Sequence, residues 1–252
     1  MRKHLVRTAR GLPEPAKDLV HRLLGAPFSS RRLRRALKPV RWGTLRRMQP
    51  VGGRWGAERG TPVDRFYLER HFRSVSPVIR GRVLEVRDPA YTDRFGHDVT
   101  SVDLVDIDPR NDEATIVADL AEPGSLPRES FDCAILPQTL QFVDDPREAI
   151  ANLWQSLAPG GALIVTVPSV SRVDSHAGDA DRWRWLPSGL RHLMEQACDP
   201  PGDLEVATFG NLLAATAFLH GVAAEELRED ELELVDPNHA ILACVTATKP
   251  PQ

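Results

Sequence analysis

The chain has 252 residues, 42% of them hydrophobic, with 35 acidic side chains against 32 Lys/Arg. That length fits one large domain, or one domain with an appendage, and the composition excludes a wholly disordered, collagen-like or low-complexity chain. The net charge of −3 conceals an asymmetry: residues 1–49 carry fourteen Lys/Arg and two acids, net +12, which leaves −15 on the rest.

The chain opens on a basic arm. Leu19, Leu23 and Leu24 are spaced for a helix, and SSRRLRRALKP reads as a second short helix opened by Ser30 and stopped by Pro39. The arm's positive field suits an acidic protein face, an anionic surface or nucleic acid, but Trp42 alone is a thin basis for base stacking. Its expected role is docking, on this chain's acidic body, on a second copy in a homodimer or on another protein. No run reaches the ~18 apolar residues of a membrane span, and the N-terminus lacks the apolar core of a secretory leader. Cys133, Cys198 and Cys244 lie far apart, two of them within apolar runs, and read as free buried thiols. A cytoplasmic location and no metal site are expected.

A Gly/Arg-rich linker leads to a predicted helix over Val63–Val75, which puts Asp64, Tyr67 and His71 on one face. From Gly81 onward short apolar runs recur: 83–86, 99–103, 115–117, 133–136 and 162–167. An amphipathic helix is expected over Pro146–Leu157 and another over Pro187–Ala197. A strand over Leu204–Phe209, an apolar helix over Leu212–Leu219 and a last strand over Ala240–Ala247 follow. Runs that are apolar throughout, rather than alternating, suit strands buried on both faces of a parallel sheet. The expected fold class is α/β: a Rossmann-like, doubly wound, mostly parallel seven-stranded sheet with helices on both faces. The expected organisation is an arm over 1–50, a linker and helix over 51–80, and a core over 81–250.

Open α/β sheets bind ligands at the carboxyl ends of their strands. There the sequence places Glu85, then Asp103, then Asp119, then the polar loop Gln138–Gln141. A carboxylate ending the second strand can accept two hydrogen bonds from ribose hydroxyls, and one ending the third can accept from an adenine amino group. Each acid alone is equally a strand-end turn residue or helix cap.

The order of these signals, GRVLEV (81–86), VTSVDL (99–104), ADL (118–120), FDCAILPQTLQFVDD (131–145) and LWQSLAPGGALIVTVP (153–168), resembles the class I S-adenosylmethionine-dependent methyltransferases, of the type 11-like kind. The segment RGTPVDRFYLERHF (59–72) is similar to one found in methyltransferase-like proteins encoded near sugar-transfer genes. The resemblance implies S-adenosylmethionine as cofactor, with Glu85 near its methionine part, Asp103 on its ribose, Asp119 and Leu120 at its adenine, and Gln138 and Gln141 on the floor where acceptor and methyl group meet. Tyr67 and Trp183 are substrate-side candidates, and His176, Asp174, Asp179 and Asp181, in the loop after the fifth strand, are the candidates for a catalytic base, His176 first among them. That loop reads either as a cap over a pocket or as solvated surface.

One departure stands out. The family's glycine-rich turn after the first strand reads Val86-Arg87-Asp88-Pro89-Ala90-Tyr91, with no glycine. Asp88-Pro89 reads as a helix cap followed by Pro at the first helical position, and Arg87 as the charge that compensates Asp88 beside a cofactor carboxylate. Two functional classes follow. One is a methyltransferase acting on a small polar or sugar-containing acceptor. The other is a degenerate methyltransferase-fold binding or partner protein, beside a glycosyltransferase for example. A nicotinamide-dependent dehydrogenase stands third, since it too needs the absent glycines.

Overall fold

The computed structural model describes residues 46–251, together with residues 39 and 43. The chain divides into two units, 1–48 and 49–252, and the helices expected in the basic arm lie outside the described residues.

The second unit is built on one sheet of β1 (Gly81–Val86), β2 (Val99–Asp106), β3 (Ile116–Val117), β4 (Phe131–Pro137), β5 (Leu157–Pro168), β6 (Asp203–Phe209) and β7 (Leu242–Thr248), in the order β3-β2-β1-β4-β5-β7-β6. The pairings β1–β2, β1–β4, β2–β3 and β4–β5 are parallel, and β7 runs antiparallel to both β5 and β6. The chain leaves β1 in one direction and returns to β4 on its other side, so the order reverses between these two strands. A crevice opens at such a point because the two crossovers diverge.

Period-two alternation sends each strand's side chains into two separate cores. On one face Leu84, Ala134, Leu136, Leu163, Val165 and Val245 pack with Ile150 and Trp154 of α3 (Pro146–Ser156) and Leu190 and Met194 of α4 (Pro187–Ala197). On the other, Val83, Cys133, Ile135, Ile164 and Cys244 pack with Tyr67, Leu68 and Phe72 of α1 (Val63–Val75). Tyr91 and Phe95 of α2 (Ala90–Phe95) and Phe218 of α5 (Leu212–His220) complete this second layer. Full burial of a side chain such as Phe72 contributes roughly 1.5–3 kcal/mol, so two such layers explain the continuous apolar runs within β4 and β5. All three cysteines are free and buried.

Local signals set the ends. Asp145 caps α3 by accepting from the Arg147 and Glu148 amides, with Pro146 opening the helix. At its other end the buried Lys249 ammonium donates to the Trp154 and Leu157 carbonyls, supplying positive charge where the helix leaves carbonyls unpaired. The Pro159-Gly160-Gly161 segment lies inside β5, which begins at Leu157 and shifts its register against β4 there. Gly160 has φ +79°, a conformation that favours glycine. A small helix over Glu229–Glu233, α6, has no counterpart in the sequence reading. Among the described residues no helix is long and apolar enough to cross a membrane.

Candidate functional site

A cleft of about 1020 Å³ lies across the carboxyl ends of β1 to β5. Its floor starts with Val86, Arg87 and Asp88 after β1, Asp106 and Ile107 after β2, and Ala118, Asp119 and Leu120 after β3. Gln138, Gln141 and Pro168 continue it past β4 and β5. The pre-core segment lines one side through Arg54, Trp55, Asp64 and Arg65, and the loop after β5 joins it there through Ser171 and Arg172.

The turn after β1 keeps a glycine-like backbone without a glycine. Arg87 has φ +76°, and its amide donates to the Val105 carbonyl at 2.9 Å. Gln138, at the end of β4, has φ +47°, and its amide donates to the Thr166 carbonyl at 2.9 Å. Both are left-handed conformations that cost a non-glycine residue about 1–2 kcal/mol and persist only where the surroundings hold them. Both line the cleft.

Glu85 sits elsewhere than the sequence reading expects. It is fully buried, and its carboxylate accepts from the Tyr91 amide (3.0 Å), the Thr92 amide (2.8 Å) and the Thr92 hydroxyl (2.6 Å). Burial pushes its carboxyl above the ordinary range, against the opposing effect of these hydrogen bonds. Asp88 accepts from the Ala90 amide at 3.2 Å, and Pro89 rather than Asp88 occupies the cap position of α2. The first amides of α2 are therefore taken by the chain's own carboxylates.

Asp103 is a correction. The strand expected to end there runs on to Asp106, because Leu104 and Val105 pair in register with Glu85 and Val86 of β1. Asp103 is held by Arg82 at 2.8 Å and the Thr115 hydroxyl at 3.0 Å and does not line the cleft. The strand-end acid is Asp106, which accepts from the Asp108 amide at 3.0 Å and the Asn111 side-chain amide at 2.8 Å. The signal was present in VDLVDID, where the apolar pattern resumes after the first acid. Asn111 also donates to the Arg87 carbonyl at 2.9 Å, so one side chain ties the turns after β1 and β2 together.

Asp119 and Leu120 line the cleft. Asn152 of α3 fixes their loop, donating to the Leu120 and Glu122 carbonyls at 2.9 and 2.8 Å. Gln138 and Gln141 lie together on the floor, joined by a 2.7 Å bond from the Gln141 side-chain amide to the Gln138 carbonyl. Three other expected residues lie outside the cleft. Tyr67 is buried against the sheet and donates to the Leu232 carbonyl at 2.9 Å. His176 has a side chain 89% exposed, with its Nδ1 3.3 Å from the Asp174 carboxylate. Trp183, 40% exposed, donates to the Val143 carbonyl at 3.0 Å and meets Trp185 at 5.9 Å. The face shared by Asp64, Tyr67 and His71 divides, with Asp64 at the cleft and the other two packed on the sheet.

The pre-core segment contributes more than sequence reasoning assigned it. Arg59 pairs with Glu226, Thr61 bonds Glu225, and the Val51 and Gly52 amides donate to the His220 carbonyl at the end of α5. Gly221 follows in the left-handed conformation, φ +66°, and packs directly on Gly52, where a Cβ on either would strike the other's carbonyl. Docked in this way, the segment presents Trp55, whose indole N–H donates to Ser171 at 3.1 Å. Arg65 donates to the Tyr91 phenol oxygen at 2.8 Å, joining α1 to α2 at the rim. Burial raises both the Asp64 carboxyl and the Tyr91 phenol above their ordinary ranges.

Charge is unevenly spread. Around β1 to β3 the cleft carries Arg65, Arg87 and Arg94 against Asp64, Glu69, Asp88, Asp106 and Asp119, an excess of acids. Towards the post-β5 loop it carries Arg54, Arg172, Arg182 and Arg184 against Asp144, Asp174 and Asp181. Four buried polar atoms of the lining have no partner: Asp64 Oδ1, Gln138 Nε2, Gln141 Oε1 and Arg172 Nε. Among the described residues no cluster of His, Cys, Asp and Glu could hold a metal ion.

Residues 86–165 match the family of methyltransferase domains. The sheet that contains them has the Rossmann-like fold of the methyltransferases. Of the solved structures, a SAM-dependent methyltransferase from Thermotoga maritima is 20% identical with a TM-score of 0.52, covering 77% of this chain and 94% of its own. A chain of the complex between a Haloferax volcanii methyltransferase activator and its putative methyltransferase is 17% identical with a TM-score of 0.51, covering 79% of this chain and 95% of its own. At those identities the likeness is one of fold. No curated protein matches the sequence.

Proposed function

We propose that the protein is an S-adenosylmethionine-dependent methyltransferase acting on a small polar or sugar-containing acceptor. The observation that carries this reading is the clustering of orphaned polar atoms in one cleft at the switch point of the sheet. A buried donor or acceptor without a partner costs about 1–3 kcal/mol, and a ligand bearing complementary groups would remove that cost at four places together. Two of the atoms are donors and two are acceptors, which suits a hydroxyl-rich or zwitterionic ligand rather than an apolar one.

The nucleoside half fits the cofactor. Asp106 stands where ribose hydroxyls would be held, while Ile107, Ala118 and Leu120 offer apolar contact beside Asp119 for adenine. When bound, the cofactor supplies an electrophilic methyl group on a sulfonium centre. The acid excess around β1 to β3 favours a cation there. At the floor Gln138 and Gln141 would orient the acceptor, and alignment with exclusion of water accounts for much of the acceleration in a direct displacement. Asp64 is the better-placed acid–base candidate, since His176 lies in solvent.

One observation favours the second reading, a methyltransferase-fold binding or partner protein. The α2 amides are satisfied by Glu85 and Asp88, and Arg87 stands in the turn where a glycine would admit the cofactor. Calorimetric titration of the full chain with S-adenosylmethionine and S-adenosylhomocysteine decides between them. Saturable heat with both compounds is expected. No heat at millimolar ligand from demonstrably folded protein leaves only the second reading. The basic arm keeps its proposed role of docking on a second copy or a protein partner.

A further inference from the structure

We propose that the acceptor carries an anionic group, a carboxylate or a phosphate, and that Arg172, laid on Trp55 and assisted by Arg54, is its receptor. This inference deepens the methyl-transfer reading by naming the acceptor's charge. It rests on that reading for the word acceptor, while the anion site itself stands on geometry alone.

The arginines of this wall are not equivalent. Arg184 is committed to Asp181, with Nη2 2.7 Å from its carboxylate and 2.8 Å from the Arg172 carbonyl. That partner holds the Asp181 carboxyl below its ordinary range. Arg182 is committed to Asp144 at 2.7 Å. Asp174 turns its carboxylate to the His176 amide at 2.9 Å. Arg172 and Arg54 make no ion pair among the described residues. Arg54 acts on the nearby Glu58 carboxyl, helping to hold it below its ordinary range, so Arg172 is the cation left without a carboxylate partner in this part of the cleft.

Arg172 is also built into place. Its guanidinium lies 4.0 Å from the centroid of the Trp55 ring, and that ring is itself fixed by the bond from its indole N–H to Ser171. Stacking on an aromatic face holds the planar fork without using its hydrogen-bond donors. The Arg172 Nε–H is buried with no acceptor, an uncommon condition that a charged ligand oxygen relieves. A planar, pre-oriented guanidinium matches carboxylate and phosphate oxygens, and its prior immobilisation lowers the entropic cost of binding. A neutral sugar hydroxyl would satisfy one donor and leave the charge uncompensated.

The test watches the orphaned donor directly. The full chain, uniformly ¹⁵N-labelled, is titrated with inorganic phosphate, with acetate, and with neutral acetamide at constant ionic strength, following the Arg172 Nε–H resonance assigned by its absence in R172K. A saturable shift with phosphate or acetate and none with acetamide is expected. Whichever anion binds tighter identifies the acceptor's group. The apparent affinity, read from a second wall probe (Ser171 amide), should weaken about tenfold in R172K, as expected for one lost charge-assisted bond. Trp55→Phe should weaken it less, since Phe retains an aromatic face. No saturable shift with either anion, or equal shifts with acetamide, overturns the proposal. So does an R172K variant, folded by its amide spectrum, that binds phosphate as tightly as the parent. Because no cofactor is present, a failed S-adenosylmethionine titration would strike the methyl-transfer reading while leaving this result intact.

Discussion

The side-chain amide of Asn111 donates to the Asp106 carboxylate at 2.8 Å. The same amide reaches the Arg87 carbonyl at 2.9 Å, so the acid that ends β2 and the unusual turn that ends β1 are positioned by one residue. If Asp106 holds ribose hydroxyls, Asp106→Ala should weaken S-adenosylhomocysteine binding by about 1.5–3 kcal/mol, through loss of charged hydrogen bonds. Asn111→Ala should cost about 1 kcal/mol, because it removes only the positioning contact. Asp103→Ala, outside the cleft, should leave affinity unchanged. Calorimetry on the three variants gives the ranking directly, and equal losses at 103 and 106 would refute the assignment.

Arg87 offers a test of stored strain. With φ +76°, Arg87→Gly relieves about 1–2 kcal/mol of native-state strain, partly offset by about 0.5–1 kcal/mol of added freedom in the unfolded chain. The urea midpoint should therefore rise or hold in Arg87→Gly. It should stay near the parental value in Arg87→Ala, which keeps the Cβ. A marked loss of stability in the glycine variant would show that the arginine side chain, rather than the turn, holds this end of β1.

Glu85 tests what replaces free amides at the start of α2. Glu85→Ala leaves three buried donors without an acceptor, those of the Tyr91 amide and of the Thr92 amide and hydroxyl. At about 1–3 kcal/mol for each unsatisfied group, the loss should be at least about 3 kcal/mol by chemical denaturation. Glu85→Gln keeps one acceptor oxygen and should lose about half as much. A neutral alanine variant would mean that water reaches these donors.

His71 supplies a pH dependence. It is buried between α1 and the sheet beside Phe72 and Phe209, with neither ring nitrogen bonded. Burial lowers its pKa from 6.5 to about 4. Between those values the unfolded chain binds the proton that the folded chain refuses. The contribution to stability is therefore fully present above pH 6.5 and declines as the pH falls toward 4, by about 3 kcal/mol in all. His71→Phe should flatten this part of the stability–pH curve relative to the parent, without changing the plateau above pH 7 by a comparable amount. Parallel acid limbs for parent and variant would show that His71 does not titrate in that window.

The chain's division into strands and helices was legible because β4 and β5 are buried on both faces. Continuous apolar runs such as Cys133–Leu136 and Leu163–Val167 then leave little choice of structure. α1 was legible over its full span for a related reason, its apolar residues recurring at helical spacing. The end of β2 was not. Asp103 and Asp106 are both acids after an apolar pair, and only the register against β1 distinguishes them. The same holds for Glu85, whose chemistry fits a ligand or a helix terminus equally well until α2 is seen folded back upon it.

The arithmetic of charge and the apolar periodicity by themselves determined a basic arm followed by an α/β sheet, and the order of acids and turns resembled the methyltransferases. These depend on composition and on neighbours close in sequence. Tertiary structure alone decided which acids reach the cleft, that α2's amides are already satisfied, and that Trp55 meets both Arg172 and Ser171, the latter 116 positions away. The reason is physical: a carboxylate or guanidinium takes its role from the partner it meets, and the decisive partners here come from strands and loops distant in the chain. Whether a charged group is already paired or stands open to a ligand is settled only when the sheet has brought them together.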